Sequence, residues 1–305
     1  MLDDLEPLAN TPGAYAFAVL LGLLWGSFAN VCIYRWPPHG EFPNGRSVVA
    51  PGSHCFVCKT PIRWYDNVPL LSWLWLRGKC RACKAEFSAR YLIVEALTGV
   101  LFGVAWWAAV NSTAIDTGMH GLTLYPFNER LVRFPIYAAF SFVMVVVTFI
   151  DLDHKLILDK LTFPSIVVFY GLSLLLSDRH WYDGLIGAGV GYGIIWTIGE
   201  VYFRLTKRDG LGLGDAKLLA VVGALLTWKG VVAALFGGAV LGSVVGITAV
   251  LVSRRRPLAE GGSGDDDPDG DPSLMRTEVP FGPFLAAAAL FYMYAEPWIQ
   301  LHWTL

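Results

Sequence analysis

The chain has 305 residues, of which 55% are apolar and only 16% charged, and its mean hydropathy is +0.50. Since a soluble domain carries about 25% charged residues, this composition argues against a soluble globular enzyme, a disordered chain and a small disulfide scaffold. The net charge of −2, from 23 basic and 25 acidic residues, provides no global basic field for a nucleic-acid partner. Composition instead predicts an all-α polytopic membrane protein with the lipid bilayer as a partner.

Predominantly apolar runs of the length that a transmembrane helix needs, roughly 17–25 residues, recur along the chain. The first follows an N-terminal flank with three acids and no Lys or Arg, unlike the basic start of a secretory signal peptide. The sixth has 11 residues and is too short to cross a bilayer alone. We predict about eight spans, at 14–34, 91–110, 134–150, 161–177, 184–203, 218–228, 230–253 and 279–297.

Basic residues are concentrated in the stretch 35–90, which holds nine Lys or Arg and three acids. The positive-inside rule places this stretch in the cytoplasm and the N-terminus outside. Alternation puts three further loops with basic residues on the same side, at 151–160, 204–217 and 254–278. The predicted domains are a periplasmic N-terminus with the first span at 1–34, a cytoplasmic insert at 35–90 and a membrane bundle at 91–305.

A loop within the bundle, 259–278, is predicted to be flexible, acidic and cytoplasmic. Its stretch 260–272 has no apolar residue that could join a core, which is typical of a solvated linker. An acidic run can also bind Ca²⁺, but the EF-hand pattern is absent here, so the linker is the favoured interpretation.

Four cysteines in the insert form two C-x₂-C pairs, Cys55 with Cys58 and Cys80 with Cys83, with 21 residues between the pairs. This spacing indicates a tetrahedral four-thiolate Zn²⁺ site, and a closed sulfur shell makes the zinc structural. Disulfides are disfavoured in a reducing cytoplasm, while redox-active or metal-free cysteines remain alternatives. His54 lies beside the cluster, but four cysteines already complete the site. The fifth cysteine lies inside the first span and is expected to be a packing residue.

Two carboxylates fall at the ends of predicted spans, Asp151 after the third and Asp215 at the start of the sixth, behind Gly212 and Gly214. Two carboxylates that share a site can activate water for peptide hydrolysis. The two glycines leave the backbone free to approach an extended peptide. Solvated acids and helix caps would give the same pattern. Three nearby acids are not excluded by chemistry alone, namely Asp153, Asp159 and Asp209.

Helix direction suggests a division of roles between the two carboxylates. Asp151 is expected at a helix C-terminus, where the macrodipole disfavours its charge, and Asp215 at a helix N-terminus, where free N–H groups favour it. We therefore hypothesise that Asp151 is the resting acid and Asp215 the resting base. The effect is small, and the two groups can titrate as one unit.

Seven ordered blocks of the chain resemble the type IV prepilin peptidase/N-methyltransferase family of bifunctional GxGD-type aspartic membrane proteases. They are the paired C-x₂-C motifs and the segments 26–37, 64–73, 90–99, 150–154, 212–215 and 280–286. The resemblance implies that Asp151 and Asp215 are the catalytic pair. It also implies cleavage of prepilin and pseudopilin leaders at the cytoplasmic face of the bacterial inner membrane. Methylation of the new N-terminus would follow, with S-adenosylmethionine as donor.

One departure from the family pattern follows the first catalytic aspartate, where this chain has Ile157-Leu158-Asp159 and the family often has Leu-Pro-Asp. The complete cysteine insert favours the bifunctional form over a peptidase-only relative. A peptidase without methyltransferase activity, and a non-enzymatic assembly or transport protein with a structural zinc domain, are the alternative functions.

No motif for a methyl-donor pocket is recognisable. The glycine repeats at 187–193 and 238–246 are instead typical of close helix packing. A donor pocket is therefore expected among loops and helix ends around the zinc insert. Glu95, in the second span, is predicted to contact the substrate amine or the donor, or else to pair with a basic neighbour. Lys217 is predicted to stabilise an oxyanion or to shift an Asp pKa, or else to be a surface lysine.

Overall fold

The computed structural model describes residues 5–38, 42–116, 121–207, 212–253 and 280–303. Nine α-helices and one two-stranded antiparallel hairpin occupy these residues. The helices are α1 Glu6–Ala9, α2 Pro12–Arg35, α3 Leu71–Leu76, α4 Arg90–Val110, α5 Phe127–His154, α6 Asp159–Ser173, α7 Asp183–Thr206, α8 Leu213–Ser253 and α9 Gly282–Trp303. The hairpin pairs β1 Thr113–Asp116 with β2 Gly121–Leu124.

The predicted helical membrane class is confirmed. Each predicted span coincides with a helical segment, and five described helices are long and apolar enough to cross a membrane: α2, α4, α5, α7 and the part of α8 over Leu213–Thr248. The count of eight stays a prediction, because α6 has only 15 residues and the sixth and seventh predicted spans lie in a single element, α8, that is kinked at Thr227. The hairpin between α4 and α5 was not predicted from the sequence.

The two halves of α8 meet at Thr227, whose backbone angles of φ 61° and ψ −174° are not helical. A β-branched residue with positive φ is a genuine outlier and interrupts the helical hydrogen bonding. The break lies two residues before residue 229, the predicted boundary between the sixth and seventh spans. The short first half is buried among other helices, with Leu218, Leu219 and Leu225 almost fully enclosed.

Helix α5 lies at the centre of the bundle and packs against α2, α4, α6 and α9. Its interior side chains include Phe140, Met144 and Ile150, each at most 1% exposed. The helix begins at Phe127, two turns before the predicted start at residue 134. The additional turns carry Arg130 and Arg133, which are buried in ion pairs.

Glycine packing joins α7 to α8. A Cβ atom at Gly187 would lie 2.2 Å from the carbonyl oxygen of Gly223, and one at Gly191 would lie 2.3 Å from the carbonyl oxygen of Leu219. The packing prediction is therefore confirmed for these two glycines. It is wrong for Gly189 and Gly193, where a Cβ would have no neighbour within 4 Å, because these two positions fall on the opposite face of the helix.

The polar insert, between α2 and α4, lies at the same end of the bundle as the C-terminus of α5. The Lys160 ammonium donates to the carbonyls of Trp36 and Asn44, and Arg90 forms an ion pair with Asp153. The predicted acidic loop 259–278 lies outside the described residues.

Ion pairs at the opposite end of the bundle join α1, α5, the segment between α6 and α7, and α9. They link Arg130 to Glu6, Arg133 to Asp178 and Arg179 to Glu296. The insert and this ion-pair network therefore mark the two ends of the molecule.

Candidate active site and cysteine cluster

Asp151 lies in the last turn of α5 and is 6% exposed. The backbone N–H of Gly282, the first residue of α9, donates a hydrogen bond of 3.1 Å to its Oδ2 atom. A Cβ atom at residue 282 would lie 2.5 Å from this oxygen, so the carboxylate occupies the space that any larger residue would need. The contact fixes the orientation of Asp151.

Asp215 is the third residue of α8, and its backbone N–H donates to the carbonyl oxygen of Gly212 at 3.1 Å. Its carboxyl group is partly buried and lies close enough to Asp151 for the two to interact electrostatically. The side chain of Ile157 lies beside Gly214, which precedes Asp215, and beside Gly282, which binds Asp151: it is 3.1 Å from an ideal Cβ at Gly214 and 3.5 Å from one at Gly282. The two predicted carboxylates therefore share one apolar corner of the bundle.

Ion pairing distinguishes Asp151 and Asp215 from the other acids nearby, which already have a cationic partner. Asp153 pairs with Arg90, and Asp159 pairs with Lys217. Within the described part of the chain, neither Asp151 nor Asp215 forms an ion pair. Neutralised carboxylates are poor candidates for acid–base chemistry, which leaves the Asp151–Asp215 pair. The remaining candidate, Asp209, lies outside the described residues.

Three other residues predicted from the sequence surround this corner. Gly214 is tightly packed against Ile157, whereas Gly212 is exposed, and the atoms nearest to its Cβ position are Asp215 Oδ2 at 3.8 Å and the Gly214 nitrogen at 3.9 Å. The Lys217 ammonium is engaged by Asp159 and lies over the ring of Phe163. A role for Lys217 in stabilising an oxyanion, and contacts of the two glycines with substrate, stay predictions.

The four predicted cysteines form a compact cluster in which all Sγ atoms lie within 4.8 Å of one another. The closest pairs are Cys55 with Cys83 at 3.7 Å and Cys58 with Cys80 at 3.9 Å. A tetrahedral zinc with Zn–S bonds of about 2.3 Å has sulfur–sulfur edges of about 3.8 Å. The donor set and its spacing fit that ion, and these thiols are free rather than disulfide-bonded.

The two C-x₂-C pairs have the same backbone conformation. The N–H of Lys59 donates to the carbonyl of Cys55, and the N–H of Lys84 donates to the carbonyl of Cys80, each at 3.0 Å. Both lysines have positive φ, which ends the tight turn.

Local hydrogen bonds favour the thiolate form of two of the cysteines, which is the form that binds a metal. Thr60 Oγ1 lies 3.2 Å from the Cys58 sulfur and lowers the pKa of that thiol to about 6. Backbone N–H groups of Cys83 and Ala82 lower the pKa of the Cys80 thiol.

Two family models match the chain. The model described as "Bacterial Peptidase A24 N-terminal domain" matches residues 20–109, which include the cysteine cluster, and "Type IV leader peptidase family" matches residues 138–247, which include both carboxylates. This chain belongs to the type IV leader peptidase family.

Relatives of similar length carry the name "Prepilin leader peptidase/N-methyltransferase". The protein of Aeromonas salmonicida is 32% identical over 95% of this chain and 90% of its own length. The protein of Stutzerimonas stutzeri is 34% identical over 99% of this chain and 95% of its own length. The protein of Neisseria gonorrhoeae is 34% identical over 83% of this chain and 86% of its own length. No solved structure is significantly similar to the chain. The family resemblance seen in the sequence is thus confirmed over nearly the whole chain.

Glu95 lies in the second turn of α4, on the side that faces the insert. Its Oε2 atom accepts the backbone N–H of Leu70 at 2.9 Å, and Ser27 of α2 also hydrogen-bonds to its side chain. A basic partner, one of the predicted alternatives, is absent among the described residues. Glu95 is therefore a carboxylate held between the insert and the membrane helices without a compensating cation there.

Gly282 and Ile157 are two residues at this family site whose roles the sequence did not reveal. The block 280–286 was recognised as part of the resemblance, but nothing local indicates that one of its amides reaches Asp151. Arg90, a third such residue, holds Asp153 and also donates to the carbonyl of Phe149 at 2.8 Å. The sequence feature that could have indicated this role is the position of Arg90 directly before an apolar span.

Proposed function

We propose that this protein is a prepilin leader peptidase and N-methyltransferase that uses Asp151 and Asp215 as its peptidase pair. The observation that carries the proposal is the convergence of these two carboxylates beside Ile157, while Asp153 and Asp159 are neutralised by Arg90 and Lys217. The family match and the names of the relatives supply the reaction class.

The chemistry requires one carboxylate and one carboxylic acid. The ionised group removes a proton from water as the water oxygen attacks the scissile carbonyl carbon. The protonated group donates its proton to the carbonyl oxygen, and a proton then passes to the leaving amine as the C–N bond breaks. The N–H of Gly282, at the N-terminus of α9, donates to Asp151 and favours its ionised form, so we assign the base to Asp151 and the acid to Asp215, the reverse of the assignment made from the direction of α5 and α8 alone.

The position of the site in the membrane fits a helical substrate with a short leader. The five candidate spans make this a multi-pass membrane protein. Asp151, Asp215 and the basic insert lie at one end of the bundle, and the positive-inside rule assigns that end to the cytoplasmic face of the bacterial inner membrane. The substrates are type IV prepilins and the pseudopilins of type II secretion, whose leaders would be cut at this face.

The four cysteines hold a structural zinc ion in this proposal. Zinc in a closed thiolate shell would cross-link the two C-x₂-C turns. It would have no open coordination position for catalysis. The insert has few buried apolar side chains of its own, and Cys55 and Cys80 are among them. Metal binding therefore provides folding free energy that the small core does not.

Methylation follows cleavage and uses S-adenosylmethionine. The lone pair of the new N-terminal amine forms the N–CH₃ bond, the S–CH₃ electron pair returns to sulfur, and the nitrogen releases a proton to a base. We assign contact with the positively charged donor to Glu95, whose carboxylate accepts hydrogen bonds from Leu70 and Ser27 and has no cationic partner among the described residues.

The test uses the purified, zinc-loaded, full-length protein with a prepilin and S-adenosylmethionine, and mass spectrometry of the pilin N-terminus. We expect leader loss and a methyl increment. Asp151→Asn and Asp215→Asn should each lower cleavage by at least about 10³-fold, the scale seen when one member of a catalytic set is removed.

Asp153→Asn is the matched control, because it removes a carboxylate at the same end of the bundle that Arg90 already neutralises. Cleavage that survives in both Asp151→Asn and Asp215→Asn would overturn the catalytic assignment. Leader loss without the methyl increment would leave a peptidase only. No cleavage by folded, zinc-loaded protein would favour an assembly or transport role.

A further inference from the structure

Helix α3 of the insert has an apolar outer face. Three of its large side chains are more than half exposed, namely Leu71, Leu74 and Trp75. Spacings of three and four residues place Leu74 and Trp75 on the same side of the helix as Leu71. Contiguous exposed apolar surface marks a site of contact with a protein or a membrane. We call these three side chains the α3 face.

The other side of α3 packs towards the membrane helices. A cavity of about 370 Å³ lies between the insert and helices α2 and α4, and Trp73 and Leu76 line it on the insert side. Trp73 also packs on Gly78, where a Cβ atom would lie 2.9 Å from the indole ring. Because this side of α3 is occupied, the α3 face points away from the bundle.

The depth of α3 along the bundle decides what surrounds the α3 face. The N–H of Leu70, directly before α3, donates to Glu95 Oε2 at 2.9 Å, and Glu95 lies five residues inside the start of α4. At about 1.5 Å per residue, Glu95 is about 7.5 Å from the helix end. Helix α4 is about 30 Å long, close to the thickness of the hydrocarbon core of a bilayer. Helix α3 therefore begins at the level where the membrane helices enter the lipid.

Exposed apolar side chains of the bundle mark the same level. Phe28 on α2 and Ile93 on α4 are exposed, and Phe28 follows Ser27, which hydrogen-bonds to the Glu95 side chain. Tryptophan is enriched at the membrane–water interface, and an amphipathic helix with an apolar outer face lies in the plane of that interface. Trp75, which is 83% exposed, has both the residue type and the level of an interfacial side chain.

The charge of the insert is complementary to an anionic lipid surface. The stretch 35–90 holds nine Lys or Arg and three acids, and two of these acids are already in ion pairs with Lys79 and Arg81. Arg77, the residue at which α3 ends, is exposed. Basic residues beside a bilayer are attracted to anionic headgroups. The α3 face is therefore bordered by a side chain that suits a lipid phosphate.

We propose that α3 is an interfacial anchor that binds the bilayer leaflet at the insert end of the bundle. The α3 face enters the boundary between headgroups and acyl chains, and Arg77 binds an anionic phospholipid headgroup. The bilayer then supports the position of the insert on α2 and α4, in addition to the hydrogen bond between Leu70 and Glu95. The anchor goes beyond the proposed peptidase and methyltransferase activities and depends on neither. A basic leader peptide is a weaker candidate for this surface, because the insert is itself positively charged.

The first test identifies what touches the α3 face by photo-crosslinking. The full-length, zinc-loaded protein is placed in nanodiscs of phosphatidylethanolamine and phosphatidylglycerol, with a benzophenone amino acid in place of Trp75 or of Val49. Val49 is the matched control, because it is 86% exposed on the same insert and lies near Ser47, whose carbonyl binds Arg35 at the end of α2. Mass spectrometry should find phospholipid adducts at least tenfold more often at position 75 than at position 49.

Hydrogen exchange of the α3 amides is a second measurement on protein without the photoreactive group. Leu74→Glu should raise the exchange rate of residues 71–76 in nanodiscs at least tenfold, because a charged side chain is expelled from lipid, and Val49→Glu should not. Replacing phosphatidylglycerol by phosphatidylcholine should raise this rate about fivefold in the unchanged protein and less than twofold in Arg77→Gln. Retained zinc content in each variant shows that the insert is folded.

The outcomes distinguish lipid from the other possible occupants of the α3 face. Cross-links from position 75 to a second copy of the chain would overturn the anchor and assign the face to an oligomer contact. With a prepilin in the same nanodisc, cross-links to the prepilin in place of lipid would assign the face to the substrate. Equal lipid labelling at positions 75 and 49 would overturn the placement of α3. Exchange that responds neither to lipid charge nor to Leu74→Glu would also overturn it.

Discussion

The backbone N–H of Gly282 reaches Asp151 Oδ2 at 3.1 Å across 131 residues of sequence. It joins the start of α9 to the last turn of α5 and leaves no room for a Cβ atom at residue 282. The orientation of Asp151 therefore depends on a helix that follows the entire remainder of the bundle. Gly282 acts as a positioning residue in the proposed peptidase, through its amide and through its lack of a side chain.

Gly282→Ala should lower the rate of prepilin cleavage by about 10²-fold. A Cβ atom 2.5 Å from Asp151 Oδ2 must displace the carboxylate or α9. Misplacement of a catalytic group by about 1 Å lowers the rate by about 10²-fold. The loss should appear in kcat more than in KM, since the substrate-binding surface is retained. Gly246→Ala is the control, as its Cβ would meet nothing within 4 Å. Equal activity of the two variants would refute the positioning role.

Substitution on the two faces of α7 should have opposite consequences for stability. Gly187→Ala forces a Cβ atom to within 2.2 Å of the Gly223 carbonyl oxygen, whereas Gly189→Ala meets no neighbour within 4 Å. Overpacking of this kind costs about 1–3 kcal/mol. Thermal unfolding in detergent should show a lower midpoint for Gly187→Ala and little change for Gly189→Ala. Similar midpoints would mean that α7 and α8 are not locked together at this contact.

Local patterns in the sequence predicted most of the fold and the acid pair. Apolar runs located the helices, two C-x₂-C pairs located a cluster that folds through short-range turns, and span ends located Asp151 and Asp215. What the sequence did not show depends on contacts between distant segments. The two buried arginines of α5 made the hydropathy pattern begin the third span at residue 134, because their partners Glu6 and Asp178 are far away in the chain.

The contacts of Gly282 and Glu95 were hidden for the same reason. The Gly282 amide is functional only when α9 docks on α5. The carboxylate of Glu95 could have paired with any basic residue of the insert, and its actual neighbour, the Leu70 amide, follows from how the insert packs on α4. Glycine spacing likewise predicted helix packing without showing which face of α7 would be used.

Removal of the Arg179–Glu296 pair should destabilise the end of the bundle that lies opposite the insert. Both oxygens of Glu296 lie 2.6 Å from Arg179 Nη2, and both side chains are more than nine-tenths buried. Removing one partner of a buried pair costs about 3–5 kcal/mol, and the longer contact of Arg179 Nε with Asp178, at 3.5 Å, compensates only part of the buried charge that remains. Glu296→Gln should therefore lower the unfolding midpoint clearly more than Glu200→Gln, whose pair with Arg204 is exposed. A midpoint for Glu296→Gln equal to that of the control would contradict this.

Removal of zinc should separate the two proposed activities. Chelation, or Cys58→Ser, removes the cross-link between the two C-x₂-C turns, and the insert wall of the cavity that faces α2 and α4, which contains Cys80, loses its support. We expect binding of S-adenosylmethionine and methylation to fall at least tenfold. Prepilin cleavage should keep most of its rate, because Asp151 is held by α9 rather than by the insert. Val49→Ala, at an exposed position of the same insert that does not line the cavity, is the control for both assays. Parallel loss of cleavage and methylation would show that the insert also supports the peptidase site, for example through the contacts of Lys160 with the carbonyls of Trp36 and Asn44.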